Sequence, residues 1–427
     1  MHEREWREAI DMRPSKVGLA AVLAGAAILR CWGLWQGLPS ALDAGEPEII
    51  ERVVGMMKTG DYNPHFFGFP SLYFYVQLVI ACANFLVHAA TGAWTSLDQV
   101  SAADFYAWGR AAAAILGTLT VYLVFQIGLR WGARHALLAA ALLAVMPHHV
   151  RESHFVLTEA PLAFLMALSF LLALRALEKG TPRAFAIAGL AAGLAAATRY
   201  YGAVAILLPL IAAYLNRHAD RPRLRCGLVA GGTAVATFLI LTPYALLDLP
   251  PFLNGLAGVL GGTGPAGEGG RGWIAALKYL RDGFGWPGFV LALSGVGLGV
   301  VRAYTGPGQA RFALAVVLVA VALPIAASRG PRELLPVMPV ISVLAAVAVV
   351  SGVSLLRRFS IPRWARTSLI AALTVAALLP PAISSIRWVR TYARTAARAD
   401  LAAGAAPAHA NGRAAALVLQ QVPNENR

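Results

Sequence analysis

The sequence predicts an all-α protein that crosses a membrane many times. Of its 427 residues, 58% are hydrophobic and only 13% are charged, and the mean hydropathy is +0.63. Soluble domains carry about 25% charged residues, so a soluble protein of this composition would lack a water-compatible surface. The composition therefore excludes a soluble enzyme, a disulfide-stabilised secreted domain, a disordered chain and a conventional nucleic-acid-binding protein.

Apolar runs that could form membrane-spanning helices recur along the whole chain. A spanning helix needs about 20 mostly apolar residues. The candidate runs are 17–35, 72–90, 106–129, 135–150, 160–177, 183–198, 200–215, 226–245, 287–303, 311–328, 332–353 and 367–386. Within them, Gly189 and Gly193 form a GxxxG pattern, which predicts close packing between two helices.

Basic residues predict the orientation of these runs. The net charge is +15, and the arginines concentrate at the N-terminus and in short segments between the runs. Short loops rich in Lys and Arg stay on the cytoplasmic side, so an even number of spans must separate one such loop from the next. The basic loops are 130–134, 175–183, 217–225, 302–311 and 357–366.

Three apolar runs lie between the basic N-terminus and the first basic loop, although an even number of spans is required. We expect the run 72–90 to lie along the outer interface or to re-enter, because it contains Gln77, Asn84 and His88. About eleven spans then remain, and the C-terminus lies outside. The alternative is that 72–90 crosses the membrane and a later run does not.

The predicted outer side holds most of the acidic residues. One transmembrane domain is expected over 1–386, with outer loops at about 36–104, 148–159 and 246–286, and a short outer tail is expected over 387–427. Six of the 21 Asp and Glu residues fall on the inner side and the other 15 outside. Acidic residues contribute little to orientation, so this bias indicates a function at the outer face.

Carboxylates in the first two outer loops are candidates for general acid–base chemistry. Asp43 and Glu46 lie where the first loop leads into an amphipathic helix that begins near Pro47. Glu159 opens the following span after the second loop, where an ionisable residue is costly unless it is paired. Glu46 and Glu159 could instead serve as helix caps, because Asp and Glu are favoured near helix N-termini.

Histidines in the second outer loop leave a metal site open as an alternative. His148, His149 and His154 lie close to Glu159 in the sequence, but their spacing fits no standard metal-binding motif. We expect that no cofactor is required, with a divalent metal as the alternative.

Three arginines at the outer ends of spans are candidates for binding phosphate. Arg110 opens a span, and Arg199 and Arg332 lie at outer turns between spans. The planar guanidinium group suits phosphate because it donates two parallel hydrogen bonds. The alternative is that each arginine extends to the membrane interface and pairs with lipid headgroups.

Four motifs follow one another along the predicted outer side. They are Gly45-Glu46-Pro47 through Gly60-Asp61-Tyr62-Asn63-Pro64-His65 to Pro70-Ser71-Leu72-Tyr73, then Ser153-His154-Phe155 to Thr158-Glu159-Ala160-Pro161, then Thr198-Arg199-Tyr200, and then Arg332-Glu333-Leu334-Leu335-Pro336. This order resembles bacterial lipid-carrier-dependent glycosyltransferases, the polytopic GT-C enzymes that include protein O-mannosyltransferases and lipid A aminoarabinose transferases. The resemblance covers roughly 30–386. It departs from the family at Gly45, where the first acid of an Asp-Glu pair is expected.

The resemblance implies a GT-C fold with juxtamembrane helices in a long first periplasmic loop. It also implies inverting sugar transfer from a polyprenyl-phosphate carrier to a periplasmic lipid, glycan or protein at the bacterial inner membrane, without nucleotide or nucleic acid. The implied roles are Glu46 as general base with Asp43 as its rival, Glu159 as a residue that orients the acceptor, Arg199, Arg332 and Arg110 at the donor phosphate, and Asp61, His65, Tyr73 and His154 as acceptor or loop contacts. The glycine-rich segment 254–272 is expected to close over the phosphate.

A polytopic transporter or lipid flippase is the alternative function. Transporters tend to contain internal repeats and charges at the middle of the membrane. In this sequence no repeat is evident, and the charges collect at one face. A non-catalytic scaffold that kept the fold is a third possibility, which the departure at Gly45 leaves open.

Overall fold

The computed structural model is helical throughout the residues that it describes. These are residues 15–35, 37, 38, 41, 43, 45–216, 222–261, 271–305, 308–356 and 362–404. The α-helices are α1 (Lys16–Cys31), α2 (Gly45–Thr59), α3 (Leu72–Ala90), α4 (Tyr106–Gly128), α5 (Ala133–Ala144), α6 (Pro147–Glu152), α7 (Glu159–Lys179), α8 (Pro182–Thr198), α9 (Leu207–Tyr214), α10 (Arg223–Leu241), α11 (Tyr244–Leu247), α12 (Leu249–Gly261), α13 (Arg271–Tyr304), α14 (Gln309–Arg329), α15 (Met338–Leu356) and α16 (Arg363–Gly404). Short 3₁₀ helices cover Leu97–Gln99, Ala102–Asp104, Tyr200–Ile206 and Pro331–Val337.

Eight helices in the described part of the chain are long and apolar enough to cross a membrane. They lie in Leu72–Ala90, Ala102–Gly128, Glu159–Lys179, Arg223–Leu241, Gly272–Tyr304, Gln309–Arg329, Pro331–Gly352 and Ser368–Tyr392. Further apolar helices, such as α5 and α8, are shorter. The chain is therefore a multi-pass membrane protein, and the total of eleven spans stays a prediction.

The core consists of apolar helices that approach one another closely. A Cβ atom at Gly189 would lie 2.2 Å from the Ala230 carbonyl oxygen, and one at Gly193 would lie 2.4 Å from that of Ala234. Both distances are too short for any side chain, so only glycine allows α8 and α10 to pack this closely. The packing that the GxxxG pattern predicted is confirmed.

Several predicted spans and loops have more complex structures. The run 135–150 divides into α5 and α6, because the chain turns before Pro147, which begins α6 at its first helical position. Much of the predicted loop 246–286 is helical, as α12 and the first part of α13. Gly285 breaks α13 with a φ of 66°. Of the glycine-rich segment 254–272, residues 262–270 lie outside the described residues.

A buried arginine connects α1 to the end of α5. The Arg30 guanidinium donates hydrogen bonds to the carbonyl oxygens of Leu143 (3.2 Å) and Ala144 (3.0 Å), and Nη2 lies 3.0 Å from Nδ1 of His149. The terminal carbonyl groups of a helix favour a positive charge. Arg30 thus stabilises the end of α5 and holds α6, which follows directly, at the outer end of α1.

The last helix is longer than the sequence indicated. The predicted span ended at 386, but α16 continues to Gly404. Tyr392 and the half-buried Trp388 pack against Phe155 and Leu157 of the second outer loop. Residues 387–404 are therefore a continuation of the helix. They begin beside the second outer loop. The sequence had predicted that the outer tail starts at residue 387.

The helix α3 exposes apolar side chains on one side and buries polar side chains against the protein on the other. Gln77 and Asn84 are buried, and Nδ2 of Asn84 donates a hydrogen bond to the Asp104 carbonyl oxygen (3.1 Å). Val79 and Leu86 are exposed on the other side. The polar residues that set this run apart therefore face the protein, and the expectation that it does not cross stays a prediction.

Cysteine labelling tests the placement of α3. Single cysteines at the exposed positions Tyr62 and Thr91, which flank this helix, are expected to react with a membrane-impermeant maleimide from outside intact cells. A cysteine at the exposed Lys179, in a predicted inner loop, is expected to react only after permeabilisation. The three native cysteines are removed first. If Thr91 became reactive only after permeabilisation, α3 would span the membrane.

Candidate functional site

Six charged residues from five parts of the chain form a connected group at the predicted outer end of the bundle. We call this group the outer charged site. Its members are Asp43 before α2, Glu152 at the end of α6, Glu159 at the start of α7, Arg199 after α8, and Arg332 and Glu333 in the 3₁₀ helix that follows α14. The fold thus brings together residues of three of the four sequence motifs, those that contain Glu159, Arg199 and Arg332.

One half of the outer charged site is a closed ion-pair network around Arg199. Its Nη1 lies 2.5 Å from Oε1 of Glu159 and 3.1 Å from the Thr158 hydroxyl oxygen, and its Nη2 lies 3.1 Å from Oε1 of Glu333. The guanidinium also lies over the Tyr201 ring, 4.9 Å from its centroid. The carboxylates of Glu159 and Glu333 therefore neutralise the charge of Arg199, and Arg199 holds Glu159 in place.

The other half of the site is looser and centres on Arg332. Its Nε lies 3.8 Å from Oε1 of Glu152, longer than a hydrogen bond. The Arg332 side chain is 47% exposed, whereas that of Glu152 is 3% exposed. An exposed guanidinium with one distant partner can turn to bind an incoming anion, so Arg332 is the arginine of the site best placed to hold a phosphate.

Asp43 adjoins this open half of the site. Its Oδ1 accepts a hydrogen bond from the Gly45 backbone amide (2.9 Å), and its side chain is half-buried. Asp43 lies close enough to Glu152 and Arg332 to interact electrostatically with both. A carboxylate that is partly accessible and near an open guanidinium fits the position of a general base.

Glu46 and Arg110 form a buried pair that meets the outer charged site at Asp43, whose backbone amide donates a hydrogen bond to Oε2 of Glu46 (3.4 Å). Nε and Nη2 of Arg110 donate hydrogen bonds to the two carboxylate oxygens of Glu46, at 2.8 and 2.7 Å, and both side chains are 0% exposed. Oε1 of Glu46 also accepts a hydrogen bond from the Val156 backbone amide (3.0 Å). This contact connects the first outer loop to the second.

The buried pair does not match the roles expected from the sequence. A general base must reach the proton that it removes, and a phosphate-binding arginine must have donors to offer. The oxygens of Glu46 accept from Arg110 and Val156, and the guanidinium of Arg110 is directed at Glu46. Their geometry corresponds to a structural link between α2, α4 and the second outer loop.

The expected acceptor contacts divide into an exposed pair and two buried residues. Asp61 and His65 are exposed and pair with each other, with Nε2 of His65 2.8 Å from Oδ2 of Asp61. This hydrogen bond lowers the pKa of Asp61. Tyr73 and His154 are buried. None of the four makes a described hydrogen bond or ion pair with a member of the outer charged site.

The three histidines of the second loop contact other groups instead of converging on Glu159. Nε2 of His148 lies 3.1 Å from the Tyr279 carbonyl oxygen, and its ring stacks on that of Tyr279. His149 contacts Arg30, and Nδ1 of His154 lies 2.8 Å from the Val150 carbonyl oxygen. Burial lowers the pKa of His148 and of His154 to about 4. Among the described residues, no group of three His, Cys, Asp or Glu side chains could hold a metal ion.

Two acids of the outer charged site were missed from the sequence. Glu152 precedes Glu159 by seven residues, which is two turns of a helix, but a non-helical stretch separates them. Glu333 follows Arg332 directly. Its position next to an expected arginine is the sequence signal for Glu333, whereas Glu152 joins the site only because α6 lies against the 3₁₀ helix Pro331–Val337.

Comparisons with known proteins relate the chain to membrane glycosyltransferases. Residues 105–246 match the family described as "Dolichyl-phosphate-mannose-protein mannosyltransferase". No curated protein sequence matches the chain significantly.

Solved structures of this class resemble the whole bundle. The apo oligosaccharyltransferase of Archaeoglobus fulgidus aligns with a TM-score of 0.59 and 15% identity over 96% of this chain and 60% of that one. ArnT from Cupriavidus metallidurans, bound to undecaprenyl phosphate, gives 0.58 and 15% over 95% and 76%. The arabinosyltransferase EmbB from Mycobacterium smegmatis gives 0.54 and 12% over 90% and 41%. The chain spans about 60% of the length of the archaeal protein.

Proposed function

Because the chain has the GT-C fold of membrane glycosyltransferases, we propose that it is an inverting sugar transferase that uses a polyprenyl-phosphate donor. The acceptor is a periplasmic lipid, glycan or protein, and the site faces outward from the bacterial inner membrane. One observation carries this proposal: the half-exposed Arg332 interacts electrostatically with the half-buried Asp43 in a group of charges at one end of the bundle.

Asp43 is the general base in this proposal. Within the described chain, the hydrogen bond to its side chain reaches Oδ1, from Gly45, which leaves Oδ2 for the acceptor hydroxyl. Oδ2 removes the hydroxyl proton as the acceptor oxygen attacks the anomeric carbon from the side opposite the phosphate. The new bond to the acceptor forms as the bond to phosphate breaks, so the sugar configuration inverts. Asp43 takes the role first expected of Glu46, whose oxygens are held by Arg110.

Arg332 binds the phosphate that leaves. Negative charge grows on the phosphate oxygens as the glycosidic bond breaks, and a guanidinium placed there stabilises that charge. Arg199 acts on Glu159, which orients the acceptor. Asp43 and Glu159 therefore divide the work of proton removal and positioning.

The carrier supplies the chemical activation. The sugar arrives already bonded to a phosphate leaving group, so neither nucleotide nor metal is part of the proposed reaction. The lipid tail stays in the surrounding membrane. The undecaprenyl phosphate bound to the similar ArnT structure supports this class of donor for the present chain.

Release of the carrier tests the proposal. Purified protein in lipid nanodiscs is incubated with labelled polyprenyl-phosphate hexoses and pentoses and with an envelope extract as the source of acceptors. We expect sugar to appear on an acceptor together with free polyprenyl phosphate. Movement of the intact donor across vesicle membranes without its cleavage would instead identify a flippase.

Replacing Arg332 with glutamine is expected to lower the rate of carrier release by about 10²–10³-fold, the usual effect of removing one group that stabilises developing charge. The matched control is Arg52→Gln. Arg52 is a half-buried arginine on α2 that pairs with Glu48 and lies over the Phe66 ring, and its loss should leave the rate unchanged. An Arg332→Gln variant with wild-type turnover would remove Arg332 from the phosphate site.

A further inference from the structure

We propose that Glu152 is a phosphate-binding residue that works as a neutral acid. Its carboxyl group lies beside Arg332. When the donor arrives, Arg332 turns to the phosphate and the protonated Oε2 of Glu152 donates a hydrogen bond to a phosphate oxygen. This inference rests on the proposed function, because it requires a lipid-linked phosphate in the outer charged site.

The geometry of Glu152 provides the first argument. Its side chain is almost fully buried, and Oε1 faces the Nε atoms of Arg332 (3.8 Å) and Arg151 (4.0 Å). Oε2 is buried, and no hydrogen-bond partner for it lies within the described chain. A buried carboxylate oxygen without a partner is costly, and buried polar atoms of this kind usually bind a proton or a ligand.

The surroundings of Glu152 are acidic enough to keep a proton on it. Glu159 and Asp43 face it from α7 and from the chain before α2, against the positive charges of Arg332 and Arg151. The ring of Tyr279 on α13 is also close enough to interact with it. Burial, followed by the charge of Glu159, raises the pKa of Glu152 from its usual 4.5 to about 7.

Arg30, Arg110 and Tyr392 lie on other elements that pack against α6, and each contacts a group other than Glu152. Arg30 of α1 contacts His149, and Arg110 of α4 binds Glu46. Tyr392 of α16 packs against Phe155. The charge balance at Glu152 is thus determined within the outer charged site and by its neighbour Arg151.

A bound phosphate changes this balance in one direction. It adds a negative charge next to Glu152 and draws Arg332 away, and both effects favour the neutral carboxyl group. Binding therefore takes up one proton from solvent when Glu152 is ionised. Since burial and the charge of Glu159 raise the pKa of Glu152 to about 7, binding should be strongest below pH 7 and weaken as the pH rises.

Binding of a lipid phosphodiester as a function of pH tests the proposal. The probe is farnesyl methyl phosphate, whose single phosphate charge does not change near neutral pH, and its Kd for protein in nanodiscs is measured at pH 6, 7 and 8. For wild type we expect a loss of affinity of about tenfold from pH 6 to pH 8, the result for one linked proton with a pKa near 7.

Two variants separate the neutral acid from other roles. Glu152→Gln, which resembles the protonated acid, should bind at every pH as wild type does at pH 6. Glu152→Ala should bind about tenfold more weakly than that at every pH. The control Glu48→Gln, at an exposed acid of α2, should keep the wild-type pH profile.

The outcomes distinguish this inference from the proposed function. Wild-type binding that is independent of pH, or a Glu152→Gln variant as weak as Glu152→Ala, would overturn the role of Glu152 while leaving a phosphate site in place. Failure of the wild type to bind the probe even at pH 6 would overturn the phosphate site and with it both proposals.

Discussion

Asp43→Asn is expected to lower sugar transfer by about 10²–10⁴-fold while the protein stays folded. Asparagine can still accept the hydrogen bond that Gly45 donates, so the local structure is kept. Its amide cannot take up the acceptor proton. The rate of carrier release from a labelled polyprenyl-phosphate sugar measures the effect, and thermal unfolding in the same nanodiscs reports whether the fold is intact.

The control for this variant is Glu48→Gln, which removes one carboxylate from an exposed position on the adjacent α2. It should leave both transfer and stability unchanged. Full transfer by Asp43→Asn would exclude Asp43 as the base. An Asp43→Asn variant that no longer folds would show instead that the carboxylate is needed for the turn before α2.

Removing Glu46 is expected to destabilise the protein, by about 3–5 kcal/mol in Glu46→Ala, because Arg110 would keep a buried charge without its carboxylate. The family resemblance implied that Glu46 is the general base. The structure changes this expectation, since both carboxylate oxygens bind Arg110 and one also binds Val156. Unfolding in denaturant and recovery from size-exclusion chromatography measure the effect.

The double variant Glu46→Leu/Arg110→Met serves as the internal comparison. It removes both charges at once and should recover much of the lost stability, because neither ion remains unpaired. The partly exposed pair of Arg52 and Glu48 on α2 provides the reference, where Arg52→Ala should cost about 1 kcal/mol. A Glu46→Ala variant that is as stable as wild type but inactive would show that Glu46 takes part in catalysis.

Hydropathy and charge were enough to predict the class of fold. The abundance of apolar runs indicates a polytopic helical protein, and the structure and its similarity to GT-C proteins confirm this. The outer motifs also placed Glu159, Arg199 and Arg332 at one end, where the structure brings them together. The prediction of the fold class succeeded because it depends on local composition.

The pairing of charges could not be predicted in the same way. Glu46 and Arg110 are 64 residues apart, and nothing near either of them indicates that each neutralises the other. Once that pair forms, Asp43 is the remaining carboxylate of the first motif that reaches the outer charged site. Long-range contacts of this kind depend on how helices pack, which hydropathy does not report.

The local sequence pattern also failed to predict the length of α16, which packs against residues distant in the sequence. Ser385 donates a hydrogen bond to the Val145 carbonyl oxygen (2.7 Å), so α16 is anchored beside the end of α5 and extends well beyond residue 386. The sequence from 387 onward is rich in arginine and alanine and carries no strong apolar signal. Its helix is supported by tertiary contacts of Trp388 and Tyr392 that the pattern alone does not reveal.

The central claim is that Arg332 and Glu152 bind the phosphate of a lipid-linked donor, with Asp43 on the acceptor side of the sugar. A cryo-EM map of the protein in nanodiscs with undecaprenyl phosphate tests it directly. We expect phosphate density at hydrogen-bonding distance from the Arg332 guanidinium, about 2.7–3.2 Å, on the side that faces Asp43. Phosphate density at another part of the bundle, with Arg332 still directed at Glu152, would contradict the claim.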